Sequence, residues 1–74
     1  MSRDERINKL ANAVREYRGV TDARTGAWVQ TPKPKAELRV ARWLEELGID
    51  ADEGISMIRS FKTFTEFRSW LKSL

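Results

Sequence analysis

The chain contains no cysteine and no histidine, only two prolines, and four glycines that stand alone. Without cysteine no disulfide can staple the fold, and without cysteine or histidine the common structural zinc sites are excluded. General acid–base chemistry most often uses histidine, and nucleophilic chemistry often uses cysteine or a serine–histidine pair. Both absences therefore argue against an enzyme, and no catalytic residue, metal ligand or cofactor is expected. Isolated glycines cannot form a phosphate-cradling loop. No apolar run approaches the ~20 residues of a membrane span. The charged start Met1-Ser2-Arg3-Asp4-Glu5-Arg6 leads into no apolar segment of the signal-peptide kind. A cytoplasmic location and no membrane partner are the expectations.

What the chain does hold is enough for one small domain, residues 1–74. At this length only about 60% of the unfolded surface is buried, so the core is thin. It must suffice alone or be completed by a partner. Charged residues make up 34%, above the globular norm, yet the apolar residues recur with helical spacing, which argues for a fold rather than disorder.

Three segments begin with the same signature. Ser2-Arg3-Asp4-Glu5, Asp50-Ala51-Asp52-Glu53 and Thr63-Phe64-Thr65-Glu66 each place a capping side chain three residues before a glutamate. Behind the first, Ile7, Leu10, Ala11, Val14 and Tyr17 share a face and predict a helix from about Arg3 to Arg18, stopped by Gly19. Glu5 and Lys9 stand four apart on its other side, in the favourable order. Pro34 suits a first helical turn, and Ala36, Val40, Trp43, Leu44 and Leu47 predict a second helix from about Lys35 to Leu47, closed by Gly48. Ala51, Ile55, Ile58 and Phe61 face one way on a third helix, where Gly54 suggests a close crossing. Phe64, Phe67, Trp70, Leu71 and Leu74 form the stripe of a fourth.

Between the first two helices, Val20 and Thr21 precede, and Trp28 and Val29 follow, the turn-forming Asp22 and Gly26. This pattern predicts a short β-hairpin over about residues 19–31, with Trp28 anchoring it to a helix. An irregular loop pinned by the same tryptophan is the alternative. The expected fold is mainly α with that hairpin, in the order α–ββ–α–α–α, the helices packed around one core.

Two motifs fail on inspection. Asp50-x-Asp52-x-Gly54 starts like a calcium loop, but Ile55 and Phe61 occupy the positions that need glycine and glutamate. Helix 2, Gly48 and helix 3 have the outline of a helix-turn-helix, but Asp50, Asp52 and Glu53 would meet the phosphates.

Charge is unevenly spread. From Arg15 to Arg42 seven basic residues face three acidic ones, whereas from Trp43 to Leu74 four face six. The hairpin and its flanks are the positive end. Arg24, Lys33, Lys35, Arg39 and Arg42 are therefore candidate contacts to nucleic-acid phosphates, although Arg39 and Arg42 could instead pair with Glu46. Three tryptophans, three phenylalanines and one tyrosine are many for a core this small, and exposed aromatics anchor interfaces. Leu38 and Met57 fall off the stripes of their helices. Arg24, Trp28, Leu38 and Met57 are the candidate partner-binding residues. A small cysteine-free, arginine-rich domain of this kind resembles, in composition only, accessory proteins of phages, prophages and plasmids. The favoured expectation is a non-catalytic protein-interaction module, an adaptor, regulator or inhibitor of a larger protein. A nucleic-acid-binding module using the basic hairpin is the alternative, and a homo-oligomeric assembly component the third.

Overall fold

Ser2 opens the first helix by accepting the Glu5 N–H on its hydroxyl at 3.2 Å, and α1 runs Arg3–Arg18. Asp4 and Glu5 lie in its first turn and Arg15 and Arg18 in its last, the arrangement the helix dipole favours. These and the elements below come from a computed structural model that describes all 74 residues. The second helix, α2, spans Pro34–Glu46. It begins one residue earlier than its periodicity suggests, because Pro34 itself fills the first helical position. The Lys33 N–H donates to the Tyr17 carbonyl at 2.8 Å, which ties the entry of α2 to the end of α1. At its other end the Gly48 and Ile49 N–H groups donate back to Glu45 and Leu44, a glycine-closed helix terminus.

Asp50 and Thr63 cap the remaining helices, α3 (Ala51–Ser60) and α4 (Phe64–Lys72), by accepting the Glu53 and Glu66 N–H groups at 3.0 and 3.2 Å. The Glu66 carboxylate reaches back to the Lys62 N–H at 3.0 Å, one residue before the position a capping box uses.

The interior is built from the stripes. Leu10, Val14, Tyr17, Val40, Leu44, Ile58 and Phe67 are sealed from solvent. α1 packs on α2 and α2 on α3. Gly54 is the close approach at that second crossing: a Cβ there would lie 2.7 Å from a Leu44 methyl. Phe61, Phe67 and Trp70 stack with centroids 6.0–6.3 Å apart and close the α4 side of the core.

The hairpin is absent. The molecule has four helices and no strand. Residues 19–31 form a loop joined by two isolated antiparallel bridges, Thr21 with Trp28 and Ala27 with Thr63. Propensity favoured strands in both arms, but only Thr21 and Trp28 pair between them, because a ladder needs room to repeat. Asp22 closes the tip at once by accepting the Arg24 and Thr25 N–H groups, and Gly19 ends α1 immediately on the other side. The return arm also divides its hydrogen bonds. Trp28 donates to the Lys62 carbonyl at 3.0 Å and Gly26 accepts from Phe64 at 2.8 Å, so the connection between α3 and α4 takes groups that a longer ladder would have used.

Candidate docking groove

The loop is held down by Trp28. Its ring meets Phe64 edge-on with centroids 5.8 Å apart, and the Arg18 guanidinium lies 5.1 Å above it. Arg18 itself is only 7% exposed. Its Nη1 donates to the Ile58 and Arg59 carbonyls at 2.6 and 3.1 Å, so the last turn of α1 closes the C-terminal end of α3 with a positive charge. No carboxylate pairs with it. Burial pushes the guanidinium below its ordinary pKa, the ring of neighbouring Tyr17 opposing. Tyr17 is shifted upward, first by burial and then by the charge of Glu37.

A groove of about 410 Å³ opens beside this anchor, walled by Trp28 and Phe64 and edged by Gly19, Val20 and Thr21. Arg15 stands at its rim with its guanidinium 5.2 Å over the Phe64 ring and no carboxylate in ion-pair range. Val20 and Val29, joined by the Val29 N–H to Val20 carbonyl bond, are 61% and 60% exposed. Around the bridge, Asp22 donates to Ala27 and Val29 to Val20. Thr21 and Trp28 are thus a non-hydrogen-bonded pair, and the backbone N–H and C=O of Thr21 point away from Trp28. Neither group makes a hydrogen bond elsewhere in the chain. The Trp28 indole N–H is buried and has no acceptor.

The candidate partner-binding residues are not gathered in one place. Trp28 walls the groove, half-buried. Arg24 sits at the exposed loop tip, outside every cleft of the surface. Leu38 projects from α2 at 83% exposure and Met57 from α3 at 42%, neither lining a cleft. The candidate phosphate contacts divide as well. Lys33 and Lys35 border a depression at the start of α2, and Arg39 and Arg42 line a separate cleft between α1 and α2. Arg39 pairs with Glu16 at 2.8 Å rather than with Glu46, and neither Arg42 nor Lys9 has a carboxylate partner.

Arg15, Val20, Val29 and Phe64 were not singled out by the sequence pattern. Phe64 read as core because it belongs to the α4 stripe, and the two valines read as strand residues. Their pairing across the bridge was the available signal. Comparison with models of protein families, with curated proteins and with solved structures found no match.

Proposed function

We propose that this domain is a non-catalytic protein-interaction module that acts in the cytoplasm as an adaptor or regulator of a larger protein. It takes an extended segment of its partner along the edge of the loop. The observation that supports this is the free backbone edge of Thr21 beside the groove of Trp28 and Phe64. An added strand would hydrogen-bond to Thr21 and place alternate side chains into the groove, the usual division between affinity and specificity in strand addition. Val20 supplies apolar area at the rim, exposed Val29 is hydrogen-bonded to it alongside, and Arg15 favours an acidic residue in the segment. The lack of histidine and cysteine supports the non-catalytic part.

Affinity capture tests it. The immobilised domain is exposed to nuclease-treated lysate of its source, beside the double variant Val20→Ser and Val29→Ser. Both positions are exposed, so the variant should melt like the parent. Proteins retained by the parent and lost by the variant are the expected result. Retention of nothing above the bead control, or an identical set on both baits, refutes the docking edge.

A further inference from the structure

We infer that the cleft between α1 and α2 binds the phosphate backbone of a nucleic acid. This goes beyond docking at the loop and uses none of the groove's residues. Lys9, Asn12 and Glu16 lie along one face of α1, and Arg39 and Arg42 face them from α2 across a cleft of about 230 Å³. Ala13 forms the floor between them, and its small side chain leaves the space open.

The charges within the cleft do not cancel. Glu16, the one carboxylate there, is engaged by Arg39 Nη1 at 2.8 Å, and this is the only ion pair in the chain. Lys9 and Arg42 have no carboxylate in ion-pair range. Arg42 is also held in place, its guanidinium 5.6 Å from the Trp43 ring centroid. Lys9, Arg42 and the Asn12 amide together offer many donors and few acceptors, which suits phosphate oxygens that only accept.

A repeating anion fits better than a single one. Lys35 stands one helical turn before Arg39 on the same face of α2, so the row of cations runs on past the cleft. Lys35 also borders the depression at the start of α2, where Lys33 adds a further cation at the N-cap. A strand of phosphodiesters can use such a row, whereas one carboxylate or one phosphate would leave most of it idle.

The test is fluorescence anisotropy of a fluorescein-labelled DNA duplex titrated with the intact chain at rising salt. Three phosphate contacts, through Lys9, Arg42 and Lys35, give a salt slope of about −2.7 and roughly a 40-fold loss of affinity between 50 and 200 mM salt. Lys9→Gln with Arg42→Gln should bind more weakly throughout and lose only about 3-fold over the same range. Glu16→Gln frees Arg39 and should bind several-fold more tightly with a steeper slope, a gain that misfolding cannot imitate. No binding by the parent at 50 mM salt, or a parental slope in the Lys9 and Arg42 double variant, overturns the proposal. The Val20→Ser and Val29→Ser variant changes no charge and should bind DNA as the parent does, so loss of protein docking and loss of DNA binding are read separately.

Discussion

Arg18 is the side chain on which most depends. It bonds two carbonyls at the end of α3 and lies over the Trp28 ring, although its charge is buried without a carboxylate. Arg18→Ala removes the donors and opens a cavity, and should cost about 2–4 kcal/mol in urea unfolding. Arg18→Met restores much of the volume without the hydrogen bonds and should stay about 1–2 kcal/mol below the parent. A methionine variant as stable as the parent would mean that desolvating the charge cancels all that the carbonyls return. Its neighbour Tyr17 makes stability depend on pH. Burial and then Glu37 raise its folded pKa above 10.0, against the weaker opposing charges of Arg59 and Arg18. The neutral ring is favoured in the fold, so this contribution is complete below about pH 10 and is lost as pH rises through the folded value. Tyr17→Phe should flatten that alkaline decline relative to the parent. Parallel curves for the two proteins from pH 9 to 11 would show that Tyr17 titrates alike folded and unfolded.

Among the elements, the helices were legible and the loop was not. Ser2, Asp50 and Thr63 cap the helices they announce because capping is local: a side chain accepts an N–H three residues on. Two of the loop's hydrogen bonds instead go to residues 62 and 64, more than thirty positions away, and no local pattern carries that information. Extended propensity at Val20, Trp28 and Val29 therefore predicted a ladder where a single bridge, Thr21 with Trp28, forms. The caps also differ in quality. Lys33 caps α2 with no side-chain hydrogen bond and puts a cation at the positive end of the dipole. Lys33→Ser should gain about 0.5–1 kcal/mol, while Thr63→Ala should lose about 1 kcal/mol from α4. In a domain this size that is several degrees of melting temperature in opposite directions. The Lys33 backbone bond to Tyr17 is untouched by the substitution, so an unchanged melting temperature would show that the α2 terminus frays regardless of its cap.

At the scale of the molecule, α1 is the shared support of both proposed surfaces. Arg15 turns toward the loop groove, and Lys9, Asn12 and Glu16 line the cleft with α2. The basic half of the chain is visible in the sequence, but its cations are not gathered at the loop. Which cations stand together depends on the packing of α1 on α2, and that brings Lys9 to Arg42 and leaves Arg24 alone at the loop tip. The two surfaces have no lining residue in common, and the buried row Leu10, Val14 and Tyr17 runs along the same helix. Substitutions in separate sites with no shared partners add within about 0.5 kcal/mol. Combining Val20→Ser and Val29→Ser with Lys9→Gln and Arg42→Gln should therefore give a protein that loses both the captured partner and the DNA, each to the extent seen in its own double variant. Calorimetric or anisotropy titrations of one ligand in the presence of the other make the same comparison without substitution. If saturating DNA shifts the affinity for a captured partner by tenfold or more, α1 couples the two surfaces, and the picture of an adaptor with independent faces gives way to one of a switch.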